Sequence, residues 1–154
     1  MVKIYFLTAM MAVISLVAPG SAASAAPQIG EPAPLFTATT ADGQTINLEE
    51  YRGKKVVLEW TNHQCPYVIK HYDTGNMQAL QKKATQDDVV WLSIVSSAPG
   101  NQGHTSPERA QEIARETEAH ATARILDESG KIGKLYDAKT TPHMFVIDEK
   151  GTLV

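Results

Sequence analysis

Lys55-Val56-Val57-Leu58-Glu59-Trp60-Thr61-Asn62-His63-Gln64-Cys65-Pro66 carries three signals in succession: an apolar β-branched run, a polar loop, and a cysteine followed by proline. The run suits a buried central strand. Pro66 fits the first position of a helix, where its missing N–H costs nothing. Cys65 is therefore expected where a strand ends and a helix begins. Helix N-termini carry unpaired N–H groups and about half a positive charge, which together favour a thiolate over a thiol. Such placement lowers a cysteine pKa from its free value of about 8.5, and the thiolate is the form that attacks disulfides and peroxides. An inert buried cysteine is the plain alternative; the strand-Cys-Pro-helix context favours the reactive reading.

Working outward, the helix after Cys65 is predicted to reach about Tyr72, break at Asp73-Thr74-Gly75 and resume from Asn76 to about Ala84, because Gly75 sits poorly in a helix interior. Val89–Val95 reads as a second buried strand. Ser106-Pro107-Glu108 caps and opens a helix predicted to run to about His120. A short strand at Arg124–Leu126, a short helix over Gly130–Tyr136 and a strong strand at Met144–Asp148 follow, and Glu149-Lys150-Gly151 turns the chain into Thr152-Leu153-Val154. Upstream, the closely spaced prolines of Ile29–Phe36 enforce an extended segment. Asp42-Gly43, between Phe36–Thr39 and Gln44–Leu48, marks a hairpin. Strands alternating with helices imply a mainly parallel sheet covered on both faces, with an antiparallel hairpin at its end.

A second signal is Thr140-Thr141-Pro142-His143, just ahead of the last strand. A proline opening a strand is often cis, and such a bond leaves the Thr141 backbone edge free to face another chain. Around Cys65, Asn62, His63 and Gln64 are candidate donors to charge developing on sulfur, with His63 also a candidate proton carrier. Trp60 is close enough to shape the loop while filling the core. A convergence of His63, Cys65 and His143 on copper or zinc is a weaker reading, since no compact ligand spacing supports it.

The ordered series Gly30-x-Pro32-Ala33-Pro34-x-Phe36, Asp42-Gly43, Leu48, Gly53-Lys54, Val56-Val57-Leu58, Trp60, Cys65-Pro66 and Thr141-Pro142-x-x-Phe145-Val146-Ile147-Asp148, with Lys150-Gly151, resembles the thioredoxin superfamily. It is most similar to the exported redoxin branch, with its alkyl-hydroperoxide-reductase-like and thiol-specific antioxidant-like members. The resemblance implies a thioredoxin-like three-layer α/β sandwich. It also implies that Cys65 matches the nucleophilic cysteine and that Pro142 matches the cis-proline packed against it; Trp60, Asn62, His63, Pro66 and Thr141 are the residues expected to support the site. Two departures are specific. Val68 stands at the second cysteine position of C-x-x-C, and Asn62 and Leu58 stand where a peroxiredoxin carries Thr and Pro. The implied activity is that of a thiol oxidoreductase in which Cys65 attacks a peroxide or a disulfide and an external thiol or partner protein resolves the product. The rival is a non-catalytic module of the same fold, binding a peptide or a metal. No cofactor is implied.

Composition sets the outer bounds. With 154 residues, 43% hydrophobic and 20% charged, the chain has the balance of an ordinary globular domain. Lys3, the apolar run Ile4–Val17 and the small residues Gly20–Ala26 have the order of a secretory signal peptide, with cleavage expected after Ala25. The apolar run is shorter than the roughly 20 residues that span a bilayer, so no stable anchor is expected after cleavage. The expected domain is then 26–154. Loss of Lys3 takes the net charge from −3 to −4, and no basic face for nucleic acid is indicated. A single cysteine in an exported chain means that the core, not a disulfide, holds the fold. Only three residues follow the last turn, where a thioredoxin fold adds a further helix, so the sequence reads as a fragment or a shortened domain.

Overall fold

A computed structural model describes residues 26–154; the expected signal peptide lies outside them. The chain runs through β1 (Thr37–Thr39), β2 (Thr45–Asn47), a 3-10 turn (Leu48–Tyr51), β3 (Val56–Trp60), α1 (Pro66–Asp73), α2 (Asn76–Gln86), β4 (Val90–Val95), α3 (Pro107–Glu116), β5 (Ala123–Leu126), α4 (Lys131–Leu135) and β6 (His143–Ile147). The central sheet has the order β5-β4-β3-β6. β3, β4 and β5 are parallel, while β6 runs antiparallel to β3 with Trp60 opposite His143. β1 and β2 form the separate hairpin expected at Asp42-Gly43. After β6, the turn closes on a single antiparallel bridge between Ile147 and Leu153 rather than a full strand. The proline-rich segment lies against this turn, with Gly30 N–H donating to the Leu153 carbonyl at 2.8 Å.

β4 is buried along its whole length and β3 nearly so, as strands covered on both faces must be. On one face Leu58, Leu92, Ile94 and Ile125 pack with Phe36 and Leu48 from the hairpin side and Ile132 and Tyr136 from the α4 side. On the other, Val68, Tyr72 and Met77 from α1 and α2 pack against Trp91. The result is the three-layer thioredoxin-like sandwich, with a mixed central sheet.

Local chemistry sets the helix boundaries. Gly75, at φ +71, separates α1 from α2 by a left-handed turn that a residue with Cβ adopts at a cost. Ser106 caps α3, its hydroxyl accepting from Arg109 N–H at 3.2 Å. α3 stops at Glu116, short of the expected His120, because Thr117 leaves helical geometry and Glu118 turns left-handed at φ +50. The 3-10 turn at Leu48–Tyr51 was not anticipated; Asn47 caps it by accepting from Glu49 N–H.

Candidate functional site around Cys65

Trp60 ends β3 inside an aromatic cluster. Its ring centroid lies 5.4 Å from those of Tyr136 and Phe145, and its indole N–H donates to Ser96 Oγ at 3.1 Å. Aromatic pairs of this kind contribute about 0.5–1.5 kcal/mol beyond their burial. The strand end is thus anchored one loop before the cysteine. Ser96 in turn donates to Asp127 Oδ2, which accepts from Ile132 N–H and Gly133 N–H at the start of α4. A polar chain therefore ties β3, β4 and α4 together beneath the site.

The loop itself is a compact turn. Asn62 Oδ1 accepts from Gln64 N–H at 2.9 Å and the Asn62 carbonyl accepts from Cys65 N–H at 2.9 Å. A second loop clasps it: Gly103 N–H donates to Gln64 Oε1 at 3.0 Å and the Gln102 amide to the Gln64 carbonyl at 3.3 Å. Gly103 is at φ +86, and a Cβ there would lie 2.5 Å from Asn62 Cγ, so only glycine lets the loops meet this closely.

Cys65 occupies the N-cap of α1, extended at φ −81 and ψ 125, with Pro66 opening the helix. Its carbonyl accepts from Ile69 N–H at 2.9 Å, the first helical bond. The sulfur is partly exposed and lies against Thr141, the Cys65 thiol donating to the Thr141 carbonyl at 3.1 Å. The Thr141-Pro142 bond is cis. The two groups of Thr141 act in opposite senses. Its carbonyl accepts from S–H and favours the thiol, whereas its side-chain hydroxyl favours the thiolate. The hydroxyl, followed by the Val68 N–H and with a smaller contribution from the Tyr67 N–H, outweighs the opposing effect of burial and holds the Cys65 pKa below its ordinary value. Val68 and Tyr67 are the third and second residues of α1, so a thiolate at 65 receives the donors that an N-cap oxygen receives elsewhere. The thiol form makes no such capping hydrogen bond.

Trp60 thus ends the strand ahead of the loop, Asn62 shapes its turn, Pro66 opens the helix, and Thr141, joined to Pro142 by the cis bond, meets the sulfur. His63 points elsewhere, into a cleft between α1 and α3 lined also by Thr61, Val68 and Arg124. Burial, then the charges of Arg109 and Arg124, hold the His63 pKa below its ordinary value. Among the described residues no group of three or more His, Cys, Asp or Glu is arranged to hold a metal ion, so His63, Cys65 and His143 do not assemble into a metal centre. Nor is any described helix long and apolar enough to cross a membrane.

Two features escape a sequence reading. The Gln102-Gly103 clasp is invisible because its partners are nearly forty positions away; the glycine-rich composition of 100–103 signals only a loop. Glu59 sits fully buried in an otherwise apolar strand. Tyr72 hydroxyl donates to its Oε1 at 2.9 Å, and Gln81 Nε2, Trp91 Nε1 and Ser93 Oγ donate to its Oε2 at 2.9, 2.7 and 3.2 Å. Burial, and then the charge of Glu59, push the Tyr72 pKa up, so this phenol stays protonated as a donor.

Residues 28–154 match the family model described as Redoxin. An uncharacterised conserved protein from Geobacillus kaustophilus superposes with a TM-score of 0.74 at 25% identity, over 82% of this chain and 67% of its own. The exposed lipoprotein thioredoxin of Streptococcus pneumoniae superposes with a TM-score of 0.62 at 29% identity, over 79% of this chain and 86% of its own. A secreted disulfide oxidoreductase of Mycobacterium tuberculosis shares the fold, with a TM-score of 0.61 at 20% identity over 77% of this chain and 80% of its own. A search of curated proteins finds no match.

Proposed function

The chain belongs to the redoxin family, and on that premise we propose that it is an exported thiol-disulfide oxidoreductase with Cys65 as its single nucleophile. The observation that carries this reading is the environment of the sulfur: partly exposed, at the N-cap of α1, against Thr141, with its pKa held down. The Cys65 thiolate attacks one sulfur of a disulfide, forming a mixed disulfide and releasing the other sulfur as a thiolate. Val68 cannot resolve this adduct, so an external thiolate attacks it, taking away the bound sulfur as a new disulfide and returning Cys65 to the thiolate. The net change is exchange of thiols between two partners, with no cofactor required. Exposed Tyr67 beside Cys65 and the backbone edge at Thr141 offer an apolar and a hydrogen-bonding contact to a partner chain. The signal-peptide order read in residues 1–25 and the likeness to an exposed lipoprotein thioredoxin support action outside the cytoplasm, by the domain 26–154.

A peroxide is the second electrophile that a thiolate accepts. Asn62 stands at the place of the peroxiredoxin threonine, but its amide is engaged by Gln64 and packed on Gly103, which favours disulfide exchange. Mass spectrometry of the protein after exposure to hydroxyethyl disulfide, and separately to hydrogen peroxide, tests the proposal. The expected product is a mixed disulfide on Cys65 at neutral pH, reversed by added thiol and absent from Cys65→Ser. No adduct on the folded protein, with rapid labelling once it is unfolded, would overturn it. Oxidation to sulfenic acid with no disulfide exchange would transfer the assignment to peroxide reduction.

A further inference from the structure

The cleft between α1 and α3 contains an arginine that nothing in the fold consumes. Arg124, on β5, is partly buried, yet among the described residues its guanidinium forms no ion pair and no side-chain hydrogen bond. Its nitrogens are not among the buried polar atoms that lack a partner, so water reaches them and the five N–H donors of the guanidinium remain free for a ligand. Arg124 lines the cleft with Thr61 and His63. Thr61 is only 4% exposed, and its hydroxyl makes no hydrogen bond to any described residue. One cation and two polar side chains, all without protein partners, thus converge on one recess.

We propose that this cleft is a binding site for a small monocarboxylate, whose carboxylate pairs with the Arg124 guanidinium and accepts from the Thr61 hydroxyl while its apolar body rests on Val68 and Ile113. The planar fork of arginine matches a carboxylate bidentately. Val68 and Ile113, buried side chains of α1 and α3, supply the apolar wall. The cleft volume is about 140 Å³. A cavity of about 150 Å³ accommodates a benzene ring, so a ligand of roughly six non-hydrogen atoms, such as butyrate, is the right size. Asp73, exposed, also lines the cleft; its negative charge opposes any anion and a dianion such as phosphate more than a monocarboxylate. Cys65 does not line the cleft, although Val68 gives its N–H to the sulfur and its side chain to the cleft wall.

Butyrate titration of the full-length protein, followed by the imidazole resonances of His63 in proton NMR and by calorimetry, tests the assignment. The expected result is saturable binding, a rise in the His63 pKa on saturation because a negative charge then faces a ring otherwise near Arg109 and Arg124, and binding of butyramide and phosphate weaker by about tenfold or more. Arg124→Gln should lose about ten- to a hundredfold in affinity. Arg124→Lys keeps the charge without the fork and should fall between. An unchanged alkylation rate of Cys65 certifies that each variant is folded, and a failed titration with normal Cys65 reactivity counts against this site alone. Absence of saturable binding to the parent, equal affinity for butyramide, or undiminished binding by Arg124→Gln would overturn the proposal.

Discussion

At Cys65 the fold treats the two protonation states differently, and stability inherits the difference. The Thr141 hydroxyl first, and then the Val68 N–H, favour the thiolate, so the folded pKa lies below the unfolded one. A depressed acid stabilises the fold fully above the unfolded pKa and loses that contribution as pH falls through the folded pKa. The gap in urea midpoint between the parent and Cys65→Ala should therefore move in the parent's favour as pH rises from about 5 to about 9. A gap that stays flat or moves the other way would contradict a stabilised thiolate. Thr141→Val removes the hydroxyl and leaves the carbonyl, which accepts from the thiol. Its cysteine should titrate at higher pH than the parent's, as read from ultraviolet thiolate absorbance; an unchanged midpoint would assign the effect to α1 alone. The cysteine and its proline were legible because both lie within one short stretch of sequence. The balance at the sulfur was not, because Thr141 arrives from 76 positions away.

Between elements, the two loops that meet at Gly103 set the geometry of the cysteine turn. Gly103→Ala forces a Cβ against the Asn62 amide at a positive φ. It should cost about 1–3 kcal/mol in urea unfolding and should slow alkylation of Cys65. Full stability with full reactivity would show that the loop relaxes freely. Glu59 links β3, β4, α1 and α2 through four donors. Glu59→Ala should cost about 2–4 kcal/mol because buried donors lose their acceptor, measured as a fall in the denaturant midpoint. A loss below about 1 kcal/mol would mean that water or a rearranged Gln81 replaces the carboxylate. Sequence periodicity located β3, β4 and the interrupted helix, because runs of buried apolar residues and a glycine break are local signals. It overran α3, since Thr117 and Glu118 are tolerated in helices and only the turn toward β5 ends this one. Glu59 was hidden for a related reason: a single acid in an apolar strand reads as an interruption until its partners from α1, α2 and β4 are in place.

For the molecule as a whole, the arrangement brings the cysteine to one end of the sheet while the interior stays independent of it. Leu58, Leu92, Ile94 and Ile125 are fully buried, and no disulfide contributes to the fold. Fold class was legible because its evidence is distributed over the whole chain: the hairpin, the two buried strands, the helix opened by Pro66 and the strand after Pro142. The cleft at Arg124 was not, since it is formed by β3, α1, α3 and β5 together and none of its residues is unusual in isolation. The reactivity proposed for the sulfur requires the assembled fold, because the first turn of α1 and the Thr141 loop meet only there. The most direct test is the pH dependence of Cys65 alkylation by iodoacetamide, measured for the folded protein and for the same chain unfolded in urea. The folded protein should show its half-maximal rate at clearly lower pH than the unfolded chain; a folded midpoint equal to or above the unfolded one would contradict the thiolate site.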